Sequence, residues 1–285
     1  MIAQDTYTLS NGVAIPVLGL GTWFIDDKDA AQAVKDAIGI GYRHIDTAQA
    51  YGNERGVGEG VRCCGLKREE IFVTTKLAAE MKSYAAAVVA IDESLNKMRL
   101  EYVDLMLIHS PQPWADFGVD DRFLEGNREA WRALEEAYKA GRIRAIGISN
   151  FQQEDIDNLL QSCSVAPMVN QLLAHVTNVP EALIRYSQEK GMLVEAYSPM
   201  GHGELFKNEQ LVNMAKQYGV SLPQLCIRYT LQLGLLPLPK TANPQHMKAN
   251  AELDFVISEA DMEIMNAMEQ IKDYGDAGVF PVYRK

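Results

Sequence analysis

Eight short apolar runs, each followed by a stretch of helical periodicity, leave this chain few ways to fold. The runs are Leu18–Thr22, Tyr42–Ile45, Ile71–Thr75, Val103–Ile108, Ala145–Ser149, Pro167–Asn170, Leu193–Tyr197 and Leu235–Leu238. They are continuous rather than alternating, as expected of parallel strands covered on both faces. Eight strand–helix units predict either a closed barrel or an open doubly wound sheet. The open sheet is disfavoured because Gly19-Leu-Gly-Thr-Trp-Phe24 has two glycines of the dinucleotide fingerprint and lacks the third. No Pro/Gly/Ser-rich linker or composition shift divides the chain, and 285 residues accommodate a barrel of about 250 residues with insertions. The expected fold class is α/β, a (β/α)8 TIM barrel forming a single domain over residues 1–285. An N-terminal β-hairpin should cap it, and extra helices should follow at the C-terminus.

The hairpin is predicted from Thr6–Leu9 and Ala14–Val17, joined by Asn11-Gly12 as a two-residue turn. Amphipathic helices are predicted over Asp29–Ile40, Ser83–Met98 and Asn127–Ala140, and over 153–161, 180–190, 208–218, 222–233 and 244–251. Ser83 is placed to cap the second of these, and Gly141 to stop the third. A last helix should begin at Ser258 and carry Met262, Met265 and Met268. The longest non-helical insertion is read as His109–Gly126; long loops in compact domains are usually functional.

Composition removes several classes of function. A net charge of −11 argues against nucleic acid, whose phosphates require clustered Lys and Arg. No run approaches the roughly 20 apolar residues of a membrane span. The N-terminal MIAQDTYTLS has neither basic n-region nor apolar h-region, which points to a cytoplasmic protein. Cys63, Cys64, Cys163 and Cys226 lack zinc-site spacing and are expected to be reduced structural thiols.

In a barrel, reactive side chains gather at the C-terminal ends of the strands. Here the runs end on Trp23, Asp46, Lys76, His109, Ser149-Asn150, Asn170-Gln171, Tyr197-Ser198 and Lys240-Thr241. Polar ends on seven of the eight strands point to a site rather than a solvated rim. A buried Asp–Lys pair perturbs its neighbours, and Tyr51 follows Asp46 by five residues. A lysine ammonium should lower the phenol pKa of Tyr51 toward the working pH, making it a proton donor to a carbonyl oxygen. Asp46 would hold Lys76, and His109 would orient the carbonyl. The alternatives are poorer. His44 and Asp46 share a strand face, but five histidines in all are few for a metal site, so no metal is expected. Ser149 lacks the G-x-S-x-G elbow of a serine nucleophile.

The stretches Leu18-Gly-Leu-Gly-Thr-Trp23, Gly41-Tyr-Arg-His-Ile-Asp-Thr-Ala48, Tyr51-Gly-Asn-Glu54, Thr74-Thr-Lys76, His109-Ser-Pro111, Ile146-Gly-Ile-Ser-Asn-Phe151, Val169-Asn-Gln171, Ala196-Tyr-Ser-Pro199 and Pro239-Lys-Thr241 together resemble the aldo-keto reductases, in order and over essentially the whole chain. The resemblance is to bacterial members acting on 2,5-diketogluconate or methylglyoxal. It implies that Asp46, Tyr51, Lys76 and His109 form a catalytic tetrad with Tyr51 as general acid. It further implies that Ser149, Asn150 and Gln171 hold a nicotinamide carboxamide and that Tyr197 stacks on the ring. Ser198 would begin the loop over the pyrophosphate. Lys240, Thr241 and His246 would lie at the 2′-phosphate, and Asn250 at the adenine. The chain departs from the pattern at His246, where many members carry arginine. A neutral imidazole is a weaker phosphate partner than a guanidinium fork, so NADPH is expected with appreciable NADH use.

By the same resemblance Trp23, Trp114, Tyr51 and residues near Phe280 wall the substrate pocket. The short polar tail Asp273–Lys285 fits small aldehydes, dicarbonyls and keto-sugar acids rather than steroids. Leu172-Leu-Ala-His175 stands where a more polar and aromatic run is common. The barrel is expected to be a monomer. A second reading, a cofactor-binding sensor with slow turnover, is opposed by the intact Asp–Lys–Tyr set.

Overall fold

The computed structural model describes residues 5–284; residues 1–4, the start of the stretch read above for a leader, and residue 285 lie outside them. The N-terminal hairpin pairs β1 (Thr6–Thr8) with β2 (Ala14–Pro16) antiparallel. Eight parallel strands follow: β3 (Gly19–Gly21), β4 (His44–Asp46), β5 (Phe72–Leu77), β6 (Leu105–Ile108), β7 (Ile146–Ser149), β8 (Val169–Leu173), β9 (Leu193–Tyr197) and β10 (Leu236–Leu238). Each hydrogen-bonds to the next in chain order. Gly21 N donates to Pro239 O at 3.0 Å, and Gly21 bridges Lys240, so the last strand meets the first. The sheet is thereby a (β/α)8 barrel, as the strand count predicts.

Helices α1 (Asp27–Ile40), α2 (Glu54–Arg62), α3 (Tyr84–Met98), α4 (Leu124–Lys139), α5 (Gln153–Leu160) and α6 (Glu181–Glu189) each link one strand to the next. Both α7 (Glu209–Gln217) and α8 (Leu222–Gln232) follow β9; α9 (Pro244–Ala251) and α10 (Glu259–Asn266) complete the chain before short helical turns at Gly275–Val279 and Pro281–Tyr283. The sequence periodicity aligns Ala30, Val34, Ala37 and Ile38 on α1 and Val88, Ile91, Leu95 and Met98 on α3; all are buried except Val88, which is partly so. Ser83 caps α3 by accepting from Ala86 N. Gly141, at φ +74°, ends α4 in the left-handed region where glycine carries no Cβ penalty.

Several boundaries differ from expectation by a residue or two, and four features differ in kind or by more. The hairpin connection is not a two-residue turn: Leu9 N pairs with Val13 O, and Gly12 N closes back on Leu9 O. That is a three-residue loop with Gly12 at φ +85°, which suits a glycine as well as the shorter turn would. Strand β8 runs past Asn170 to Leu173, placing Asn170 and Gln171 inside the sheet rather than at its edge. The insertion after β6 is shorter than read, since α4 begins at Leu124 and a helical turn forms at Trp114–Asp116. Helix α10 stops at Asn266, before Met268.

Helix α2 was not foreseen. Three glycines in nine residues weaken it, each by about 1 kcal/mol against alanine. Packing explains them: a Cβ on Gly56 would strike the Asp27 carbonyl, one on Gly58 the Met98 carbonyl, and one on Gly60 the Val34 side chain. Poor helix residues are thus what lets α2 lie against α1 and the end of α3, where Arg62 also donates to Met98 O. Gly58→Ala should therefore destabilise the protein by at least about 1–3 kcal/mol in urea unfolding, although alanine is the better helix former. An unchanged or raised midpoint would contradict this account of the contact.

Candidate active site

The strands deliver their polar residues to one end of the barrel. Asp46 closes β4, Lys76 is the penultimate residue of β5, and His109 follows β6 directly. Lys76 is wholly buried, and its ammonium spends three hydrogen bonds on Asp46 Oδ1 at 2.6 Å, Thr47 O at 2.9 Å and Tyr51 Oη at 3.3 Å. Burial alone would lower the lysine pKa, but the Asp46 carboxylate and the Tyr51 hydroxyl beside it leave it above its ordinary value. Tyr51 is carried by a short helical turn, Gln49–Tyr51, which Gln49 fastens to the neighbouring unit by accepting from Ala78 N and donating to Ala90 O.

The expected fall of the Tyr51 pKa is not what the structure gives. Desolvation of the phenol is the largest influence and raises it; Lys76 pulls it down, and Asp46 pushes it back up. The Asp46 carboxylate paired with Lys76 opposes the lysine's field at the phenol, and desolvation outweighs what remains. Tyr51 is therefore a neutral phenol across the physiological range. Its ring meets His109 edge-on at 5.6 Å, and His109 meets Trp114 at 5.1 Å. Burial, then the Lys76 charge, hold His109 well below its ordinary pKa, so it is a neutral imidazole. On the other side Trp23 lies 6.2 Å from Tyr51 and 4.8 Å from Phe280. Asp46, Tyr51, Lys76, His109, Trp23 and Trp114 thus come together as the sequence predicts.

A second cluster lies beside this one. Asn150 adopts a left-handed conformation (φ +63°) and donates to His109 O at 3.0 Å, while its Oδ1 accepts from Tyr197 Oη at 2.7 Å. Ser149 Oγ donates to Gln171 O at 2.9 Å. Gln171 Nε2 crosses the barrel to Asp46 Oδ2 at 3.0 Å, joining the two clusters. Ser198, also left-handed, pairs through Oγ with Tyr283 Oη at 2.8 Å. Lys240 and Thr241 follow β10 at the rim, and Asn243 caps α9 by accepting from Gln245 N. His246 is exposed on α9 and Asn250 is buried in it.

The chain matches the family model "Aldo/keto reductase family" over residues 17–270. It is an aldo/keto reductase. The glyoxal reductase of Bacillus subtilis (strain 168) is 38% identical over 274 residues, 95% of each chain. The solved aldo/keto reductase of Brucella melitensis superposes with a TM-score of 0.87 at 34% identity, over 93% of this chain and 98% of that one. The Bombyx mori aldo-keto reductase, solved in complex with NADP, gives 0.85 at 32% identity over 99% of both. The protein is accordingly an oxidoreductase of a family that uses nicotinamide cofactors and acts on small carbonyl compounds.

Sequence reasoning missed several parts of this reductase's site. Tyr274 and Tyr283 are almost fully buried and pack with Trp23, Leu173 and Tyr197 at the barrel mouth. His175, left without a role above, bonds Tyr274 Oη through Nε2 at 2.8 Å and so ties the end of β8 to the C-terminal tail. Glu195, inside the apolar run of β9, is wholly buried and accepts from Gln171 at 2.7 Å. A carboxylate interrupting a continuous buried run was the available signal. Among the described residues no group of three His, Cys, Asp or Glu side chains gathers in a metal-binding arrangement.

Removing one partner of a buried ion pair leaves the other uncompensated, at a cost of about 3–5 kcal/mol. Lys76→Met should lose stability on that scale in urea unfolding, and adding Asp46→Asn should recover part of it. A double variant as unstable as the sum of the two singles would show that the pair is not coupled.

Proposed function

We propose that this aldo/keto reductase reduces small aldehydes, ketones and dicarbonyls to alcohols, with Tyr51 as the proton donor and NADPH as the preferred cofactor. The observation that carries the reading is the Lys76–Tyr51–Asp46 arrangement: a neutral buried phenol, hydrogen-bonded to an ammonium, at the mouth of the barrel. Such a phenol releases its proton to a carbonyl oxygen as negative charge develops there, and Lys76 steadies the phenolate left behind. His109, neutral and edge-on to Tyr51, orients the carbonyl oxygen. Asp46 keeps Lys76 charged and in place. Trp23 and Trp114 flank Tyr51 and His109 and present flat apolar walls to a small substrate.

The residues present fit a nicotinamide dinucleotide. The polar side chains of Ser149, Asn150 and Gln171 lie together, tied to His109 O and Asp46, and suit a carboxamide, and Tyr197 offers an aromatic face next to them. Ser198 would lie along the pyrophosphate. Lys240 and Thr241, with the capped N-terminus of α9, suit a 2′-phosphate, and Asn250 suits the adenine. When bound, the cofactor supplies the hydride. His246 is a weaker anion partner than arginine, so NADH should be accepted as well. The same reading takes residues 1–285 as one domain acting as a cytoplasmic monomer, without nucleic-acid or membrane partners; no helix among the described residues is long and apolar enough to cross a membrane.

Cofactor consumption with glyoxal, methylglyoxal, an aromatic aldehyde and a keto acid tests the reaction; tight NADPH binding without turnover on any of them would favour the sensor reading instead. Tyr51→Phe should lower kcat by at least about 100-fold, the scale of a lost general acid, with cofactor affinity nearly unchanged. Retained turnover would remove Tyr51 as donor. Because burial raises the Tyr51 pKa above its ordinary 10, the donor stays protonated through pH 9. Reduction by the parent protein should therefore hold its rate up to about pH 9, and a decline centred below about pH 10 would contradict the raised pKa. A kcat/KM preference for NADPH over NADH beyond about a thousandfold would refute dual use.

A further inference from the structure

Glu195 belongs to no part of the proton transfer described above, yet the fold places it with care. It sits in the middle of β9, in register with Gln171 of β8, so parallel pairing sets the two side chains next to each other inside the barrel. Gln171 Nε2 donates one proton to Glu195 Oε2 at 2.7 Å and the other to Asp46 Oδ2 at 3.0 Å. β4 and β8 lie on opposite sides of the barrel, so the amide spans it between two carboxyl groups. An amide can point either its nitrogen or its oxygen at a neighbour. The Asp46 carboxylate can only accept, so the nitrogen is the end that faces it; Glu195 Oε2 takes the second N–H, and the amide is left with its carbonyl oxygen to offer anything else.

The surroundings of Glu195 make this a fixed arrangement rather than a charged one. The groups facing it are His44 of β4, whose Nε2 is 3.9 Å away and bonded to Thr74 Oγ1 at 2.9 Å, together with Asp46, Lys76 and Gln171. Burial first, then the Lys76 charge, press His44 down to about 3, so it offers no cation. Burial first, then the Asp46 carboxylate, lift the Glu195 carboxyl to about 8, which keeps it largely uncharged at neutral pH. A neutral acceptor leaves the charge balance of Asp46 and Lys76 undisturbed while still holding the amide.

The geometry points to Glu195 as a positioning residue that acts through Gln171, locking its amide so that only the carbonyl oxygen is presented to the N–H2 of a cofactor carboxamide. The inference rests on the nicotinamide reading above, and the experiment separates the two. Binding of NADPH and of 2′-phospho-ADP-ribose, which lacks the nicotinamide, is measured by calorimetry for the parent protein, Glu195→Leu, Glu195→Gln and Gln171→Leu. Glu195→Leu removes one of the two acceptors that hold the amide nitrogen and so loosens the amide's orientation. It should weaken NADPH binding about tenfold, the scale of one well-placed hydrogen bond, and leave the fragment's affinity unchanged. Glu195→Gln, which can still accept from Gln171, should recover NADPH affinity to within about threefold. Once Gln171 is leucine, adding Glu195→Leu should cost nothing further, because the path runs through that amide. Equal weakening of NADPH and fragment by Glu195→Leu would show a structural role only and overturn the inference, as would no weakening of either. A parent protein that binds NADPH no better than the fragment would overturn the nicotinamide reading itself, and the inference with it.

Discussion

The ion pair between Lys76 and Asp46 is the interaction around which the rest of the site is arranged. An ammonium with no solvent exposure is sustained only if every proton finds an acceptor, and here the three acceptors come from β4 and the loop after it. That demand fixes where β4 ends, how the 47–51 segment leaves it, and where the Tyr51 hydroxyl lies. It also fixes the other Asp46 oxygen, which takes Gln171 from across the barrel. One buried charge therefore relates β4, β5 and β8 within a few ångströms. The parallel barrel is the scaffold that makes this possible, because register between neighbouring strands sets which side chains share an interior layer.

Pairing the charge also decides its effect on the phenol. An unpaired lysine beside Tyr51 would lower its pKa more than the paired one does. A lysine already balanced by Asp46 exerts a weaker field than desolvation does, and the phenol stays an acid rather than becoming a phenolate. For a group proposed to give up a proton at the moment charge appears on a carbonyl, that is the useful state. It also explains why the interior tolerates two further titratable groups, His44 and Glu195. Both are held neutral by burial, so the barrel encloses one net-neutral ion pair instead of four competing charges.

Much of this was legible in the sequence, and the parts that were not fail for identifiable reasons. Asp46, Lys76 and His109 stand out because each interrupts or closes an apolar run, and the barrel rule converts that position into a place at one mouth. Helix α2 was hidden because local propensity argues against Gly56, Gly58 and Gly60 as helix residues, and the packing that requires them comes from α1 and α3. The sign of the Tyr51 shift was misread because burial is a property of the assembled loops, whereas the nearness of Lys76 could be guessed. Glu195 was passed over inside a run judged by its apolar average. Contacts such as Ser198 with Tyr283, 85 residues apart, have no local signature at all.

The site is thus built from two kinds of structure with different freedom to vary. Its floor, Asp46, Lys76, Gln171 and Glu195, is supplied by strand residues whose neighbours are set by register, and a change at any one leaves a buried polar group without its partner. Its proposed walls, Trp23, Trp114, Phe280 and Tyr283, come from loops and the C-terminal tail and are held mainly by ring contacts, Trp23 with Phe280 and Tyr283, and Trp114 with His109. Two of these four residues lie beyond residue 270, outside the stretch matched by the family model. Ring contacts are non-directional compared with charge-assisted hydrogen bonds, so wall residues can be exchanged at modest cost while floor residues cannot. The tail is nonetheless anchored by two hydroxyls, Tyr274 to His175 and Tyr283 to Ser198. The second of these reaches the loop proposed to cover the pyrophosphate. The position of the tail and that of the loop at Ser198 are therefore mechanically linked.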